Sequence, residues 1–190
     1  MIHVRKSRLI IATVLALPFL PAPAQKPSVD VGGGYTYVHS NIVPGCSCFS
    51  LNGGSAQLQI GATRHIAGVA NVDVVSKTGI TPDNYQLTQV TYTFGGRYTP
   101  SSQARFSPFG EALFGGAHAL GTLSPANNAI HGGSNALALR TGGGLMLRVS
   151  WRLRIMPLEV DYLLTNFQNN ANNRQNDIQV SAGVLFRLRR

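Results

Sequence analysis

Between residues 28 and 188 the chain alternates apolar and polar residues one by one, in eight separate segments. A period of two is the signature of a β-strand with one face in each environment. The segments are 28–39, 54–63, 67–76, 86–98, 106–118, 135–147, 153–164 and 175–188. In the first, Val29, Val31, Gly33, Tyr35 and Tyr37 alternate with Asp30, Gly32, Gly34 and Thr36. In the last, Ile178, Val180, Ala182, Val184 and Phe186 alternate with Asp177, Gln179, Ser181, Gly183 and Arg187. Each runs roughly 10 to 14 residues, where strands of soluble sheets average about 5 to 6; that length crosses a bilayer when tilted. No run of about 18 apolar residues follows Gln25, so a membrane-spanning helix is not available there. Only a closed barrel could place such a chain in lipid, where every backbone polar group must find a partner within the protein.

The N-terminus carries a different signal. Arg5, Lys6 and Arg8 precede an apolar stretch from Leu9 to Leu20, and Ala22-Pro23-Ala24 offers small residues before Gln25. This is the pattern of a secretory signal peptide over 1–24, leaving a barrel domain over 25–190. Its removal would lower the formal charge from +9 to +6.

The connections alternate in length. Segments two and three, four and five, and six and seven are joined by short turns, whereas 40–53, 77–85, 119–134 and 165–174 are long and rich in Gly, Asn and other polar residues. Short turns on one side and long loops on the other is the layout of outer-membrane barrels, with both termini on the short-turn, periplasmic side. The expected fold is therefore all-β: an eight-stranded antiparallel up-and-down transmembrane β-barrel behind a cleavable signal peptide.

Charge placement decides which face points in. Charged residues make up only 12% of the chain, well below the roughly 25% usual for soluble domains. Six of the seven acids, Asp30, Asp73, Glu111, Glu159, Asp161 and Asp177, fall on the polar parity, and Asp83 alone lies in a loop. Arg97, Arg140 and Arg187 share that parity. An Arg facing lipid at the bilayer midplane costs about 2–4 kcal/mol, so these nine residues are expected to form a charge network in a narrow, filled lumen. The apolar parity carries aromatics near both strand ends: Tyr98, Phe106, Phe186 and the turn residue Trp151 at the short-turn end, and Tyr37, Phe114 and Tyr162 at the long-loop end. These are the expected interfacial girdles. Lys26, Arg64, Arg105, Arg148, Arg152, Arg154, Arg189 and Arg190 cluster at the periplasmic end, a collar suited to the phosphates of outer-membrane lipids. Lys/Arg clusters interleaved with aromatics are absent, so no nucleic acid is expected as a partner.

The signal peptide, the opening strand Val29–Tyr37, the eight-strand layout and the closing strand over 175–188 together resemble the outer-membrane β-barrel superfamily of OmpA-type and OmpX-type small barrels. The resemblance spans the mature chain and rests on pattern. It implies an integral outer-membrane protein inserted by the barrel-assembly machinery; OmpA itself continues into a peptidoglycan-binding domain, and here the barrel domain alone is expected. The terminal strand departs from the family's usual aromatic ending, since Phe186 is followed by Leu188-Arg189-Arg190.

Candidate chemistry is sparse. Cys46-Ser47-Cys48 lies in the first long loop, where export would permit a loop-local disulfide between Cys46 and Cys48 or leave two free thiols. A ring closed across one residue staples little, and two thiolates are too few for a zinc site. Some small barrels modify lipid A through a Ser–His–acid site with a His-x-Ser-Asn motif; here His39-Ser40-Asn41 lacks the spacer. Gly32-Gly33-Gly34 and Gly142-Gly143-Gly144 lack the Lys-Ser/Thr of a phosphate loop and read as places where the sheet coils or makes room for a large side chain. No catalytic residue, cofactor or metal site is assigned. The expectation is a structural or adhesion-like role through four extracellular loops and an unidentified extracellular partner. A lipid-A-modifying enzyme or a narrow pore stands as the alternative.

Overall fold

The computed structural model describes residues 27–40, 49–79, 86–102, 104–123, 130–167 and 174–189. The expected signal peptide, Lys26, Cys46, Cys48, Asp83 and Arg190 lie outside these described residues. Eight strands follow one another: β1 (Val29–Ser40), β2 (Phe49–Gly61), β3 (Ile66–Lys77), β4 (Gln86–Tyr98), β5 (Phe106–Leu123), β6 (Ile130–Arg148), β7 (Leu153–Thr165) and β8 (Gln175–Arg189). Each pairs antiparallel with the next, and β8 closes on β1 from Asp30↔Arg187 to His39↔Ile178. The expected all-β, eight-stranded up-and-down barrel is the fold. Closure pairs β8 back onto β1, so the sheet has no free first or last strand, the condition for a sheet to cross hydrocarbon.

The alternation of the sequence becomes an alternation of environment. Along β3, Ala67, Val69, Asn71, Asp73 and Val75 are buried, whereas Ile66, Ala70, Val72 and Val74 are exposed on the outside. The outer surface carries Tyr35, Leu58, Tyr92, Phe94, Leu139, Val160 and Ile178, all more than a third exposed. In water so continuous an apolar surface would be a liability; facing acyl chains, it is what holds the barrel in place.

Three stretches differ from the periodicity. β2 begins at Phe49, and β5 and β6 run on to Leu123 and Ile130, through residues whose Gly, Ser and Asn content reads as loop. The ladder continues there through Ala119↔Ser134, Leu120↔Gly133 and Gly121↔Gly132, because backbone pairing needs no particular side chain once a hairpin has started. β7 ends at Thr165 opposite Ala138, so the described part of the β5–β6 hairpin stands beyond its β7 neighbour.

The third difference is a bulge. The register of β7 slips between Met156 and Glu159 against β8, with a matching irregularity in β6 between Leu145 and Leu147. Pro157 sits inside the slip and has no N–H to give the ladder. Pro157 and Leu158 are therefore both exposed, and the parity reverses below them. Met156, expected on the lipid face, is buried in the lumen. Arg154, expected in the lipid-facing collar, turns inward to Asp30.

Gly142 shows what the triple-glycine stretch accomplishes. It lies between Glu111 on β5 and Asp161 on β7, and a Cβ there would strike Asp161 Oδ1 and the Val160 carbonyl. Replacing Gly142 with Val should lower unfolding stability by about 1–3 kcal/mol through overpacking. Gly96→Ala, whose added Cβ would meet nothing within 4 Å, should stay within about 0.5 kcal/mol of the parent. Urea titration of detergent-refolded protein, followed by the difference in electrophoretic migration between boiled and unboiled samples, measures both.

Candidate functional site

The barrel interior is filled in layers. At mid-height, inward positions of β3 to β7 bring Arg97, Glu111, Arg140, Glu159, Asp161 and Asp73 together, all buried. Arg97 donates from Nε to Glu111 Oε2 at 2.7 Å, and its Nη2 is 2.5 Å from the same oxygen. Its Nη1 donates to Gln59 Oε1 at 3.2 Å. Gln57, with its amide oxygen turned to the guanidinium, accepts from Nη2 and Nη1 at 2.8 and 2.9 Å. The Arg97 guanidinium carbon also lies 4.1 Å from the centre of the Phe109 ring. Arg140 is shared more widely. Its Nε donates to Asp161 Oδ2 at 2.8 Å, its Nη2 to Glu159 Oε1 at 2.8 Å, and its Nη1 to Asp73 Oδ2 at 3.2 Å. Glu159 also meets Arg97 at 3.4 Å, linking the two guanidiniums through one carboxylate. Charge-assisted hydrogen bonds of this kind offset the cost of removing both signs from water.

The remaining charges expected in the lumen divide into two places. Asp30 and Arg187 pair near the short-turn end, with Nε to Oδ1 at 2.8 Å and Nη2 to Oδ2 at 3.3 Å; Arg154 approaches the same carboxylate at 3.6 Å. Asp177 is buried opposite Leu163, nearer the loop end than the Arg97–Arg140 group. Between these levels Asp73 accepts from Thr36, Asn71 and Gln179, which spreads the polar network across to β1 and β8.

Two apolar layers enclose the charges, and both escape a reading by parity. Toward the loops, Val38, Leu51, Val75, Leu87, Ala117, Ala138 and Leu163 supply one inward residue from each of seven strands, and Ala119 and Phe167 join them. Toward the short turns, Phe109, Met146, Met156 and Leu185 form a second layer. These residues sit on the polar parity, or behind the Pro157 bulge, so alternation alone assigns them to a polar lumen or to lipid. A side chain of the wrong polarity near each strand end was the available signal.

On the outside, Tyr98, Phe106, Phe114, Trp151, Tyr162 and Phe186 are exposed, and Tyr37 is half-buried with its hydroxyl 2.6 Å from Ser50 Oγ. Tyr162 donates to Asn176 at 2.5 Å, so both loop-end tyrosines anchor their hydroxyls on a neighbouring strand. Arg152 lies over the Trp151 ring at 4.2 Å. Tyr35, Tyr92 and Phe94, which were not assigned to the girdles, are equally exposed; Phe94 packs on Phe114 at 4.1 Å between ring centres.

Neither alternative chemistry gains geometry. His39 is exposed and Ser40 is buried, because neighbours on a strand face opposite ways; they cannot form a Ser–His pair. His118 Nδ1 is 2.6 Å from Asn135 Oδ1 rather than near a nucleophile. Glu111, Glu159 and Asp161 bring carboxylate oxygens within 4.8 Å of one another, but Arg97 and Arg140 point their guanidiniums into that cluster. Among the described residues, the charged layer therefore builds structure around arginine rather than around an ion.

Removing one partner should cost far more than removing a pair. Arg140→Gln removes an ion pair from four carboxylates, Asp73, Glu111, Glu159 and Asp161, and should lower stability by about 3–5 kcal/mol. Adding Asp161→Asn should recover part of that loss, with a coupling of about 1–3 kcal/mol in a double-mutant cycle. The same urea titration reads it, and additive losses would count against the pairing.

No protein-family model matches the chain, and no curated protein matches its sequence. Solved structures do. Ail, the attachment invasion locus protein of Yersinia pestis, superposes with a TM-score of 0.66 at 11% identity, over 86% of this chain and 100% of that one. Neisserial surface protein A gives 0.58 at 14% identity, over 86% and 100%. OprG, an outer-membrane protein from Pseudomonas aeruginosa, gives 0.52 at 9% identity, over 86% and 96%. Ail has also been solved in complex with the heparin analogue sucrose octasulfate. The chain thus has the fold of these small eight-stranded barrels, with an apolar belt outside and its charges inside.

Proposed function

We propose that this protein is a non-catalytic outer-membrane barrel that acts through the surface it presents on its long-loop side, in attachment to an extracellular partner. The observation that carries this reading is the filled lumen. Apolar side chains from seven strands pack together toward the loop end, and the Arg97–Arg140 layer fills the middle, an interior that favours a side-chain core over a wide channel. What the loop side offers instead is the long β5–β6 hairpin, flanked by β4 and standing beyond β7, on a rigid scaffold, a common place for recognition. The solved neighbour named for attachment and invasion supports the same reading. Its sulfated ligand is a weaker guide. Among the described loop-end residues here, Lys77 and Arg174 supply the Lys/Arg charge, so an uncharged polar partner suits this surface better than a polyanion. Outer-membrane lipids contact the belt, and insertion falls to the barrel-assembly machinery.

The test is display of the protein on a non-adherent bacterial host, with attachment to cultured epithelial cells as the readout. Deleting residues 120–133 should leave the heat-dependent electrophoretic shift intact while attachment falls to the level of the empty host. Unchanged attachment after the deletion, or stable conductance steps from the parent protein in planar bilayers, would overturn the reading. Lipid A from the displaying host should keep its acyl composition by mass spectrometry.

A further inference from the structure

Toward the loops apolar side chains from seven strands pack across the lumen, whereas on the short-turn side the lumen is open. There it widens into a vestibule of about 610 Å³ between the turns and the Phe109–Met146–Met156–Leu185 layer, with Met146 in its wall. Its charged lining is of one sign. Arg64, Arg148, Arg154 and Arg187 face it, His65 joins them, and no acidic side chain among the described residues lines it. Thr63, Thr99 and Ser102 add hydroxyl groups to the same wall.

Two of these arginines are not where a lipid-facing collar would put them. Arg154 and Arg187 turn into the barrel, with side chains only 16% and 20% exposed. Both lean on the single carboxylate of Asp30, and Arg148 is a further charged neighbour of Arg154. The carboxylates of the mid-lumen layer do not relieve this convergence. On β5 the inward order is Ser107, Phe109, Glu111, and on β7 it is Arg154, Met156, Glu159, so an apolar residue stands between vestibule and acid on each strand. Like charges gathered in a partly dewatered space repel one another, and an anion placed among them reverses the sign of that interaction. Arginine held by packing on several sides favours an oxyanion with several acceptor oxygens, and phosphate has the most to offer. The space exceeds a bare phosphate, leaving room for an organic group along Met146.

We propose that the vestibule at the short-turn mouth is a binding site for phosphate esters, held by Arg154, Arg187 and Arg148, with Asp30 as the built-in competitor for the first two. The ester is either a small soluble molecule of the periplasm or the head group of an inner-leaflet phospholipid reaching round the rim. The site is independent of whatever the loops recognise on the other side.

Isothermal titration of the full mature protein, refolded in an uncharged maltoside detergent, tests it at fixed ionic strength with two probes: glycerol 3-phosphate, and dihexanoyl phosphatidylglycerol below its micelle concentration. Saturable one-to-one binding of the first assigns a soluble ester; binding of the second alone assigns a head group. Arg154→Gln should weaken binding about tenfold, as for loss of a charge-assisted hydrogen bond. Asp30→Asn should tighten it severalfold by freeing the two guanidiniums, an effect that a purely structural ion pair would not produce. Arg105→Gln, an exposed arginine that does not line the vestibule, should change nothing. If Asp30→Asn fails to give the heat-dependent shift, Arg148→Gln at the exposed end of β6 carries the test, with weaker binding expected. Absence of saturable binding by both probes, or an affinity unmoved by Asp30→Asn or Arg148→Gln in folded protein, would overturn the proposal.

Discussion

Everything in this molecule follows from the need to satisfy backbone N–H and C=O groups where water is missing. A chain with this alternation and without a long apolar helix beyond the first 24 residues meets that need by closing a sheet on itself. Closure then dictates the rest. With eight strands the interior is too narrow for solvent and must be filled by side chains, while the outside must be apolar. Polar residues that would face water in a soluble sheet are forced to face one another. The Arg97–Glu111 and Arg140–Asp161 contacts, each between neighbouring strands, are the result.

That confinement also explains the glycines. Arg97 and Arg140 occupy the same level of the lumen, and the strands around them must give up volume. β6 does so at Gly142, directly between two strands that contribute carboxylates. Large charged side chains and bare backbone are thus two halves of one packing solution. It packs the middle of the lumen without exposing a guanidinium to lipid.

Much of this was legible before any coordinates. Strand number, closure and the inward face of Asp30, Asp73, Arg97, Glu111 and Arg140 follow from parity alone, because each substitution of one face for the other would put a charge in lipid. What parity could not supply was everything that depends on height within the barrel. Leu51, Val75 and Leu87 look misplaced in the alternation, yet together they close the loop end. The extension of β5 and β6 was hidden because Gly, Ser and Asn carry no period, while backbone pairing proceeds without one. The reversal at Pro157 was hidden for the opposite reason. The alternation of apolar residues continues in the text of β7, but a missing N–H shifts the ladder beneath it and carries Arg154 and Met156 inward.

The bulge is what makes the two mouths unlike. Without it, Arg154 would join Arg105 and Arg152 outside, where lipid phosphates and the Trp151 ring could receive it. With it, a second guanidinium is driven onto a carboxylate that Arg187 already holds, in a cavity lined by cations. At the other end seven of the eight strands contribute an inward apolar residue, and these pack against one another. A barrel whose only task was to stay folded would gain nothing from this asymmetry, since a repulsive cluster of arginines destabilises the wall that carries it. The charge imbalance is better understood as a cost borne by the short-turn rim for an anion, while the closed end supplies the stiffness on which the loops stand.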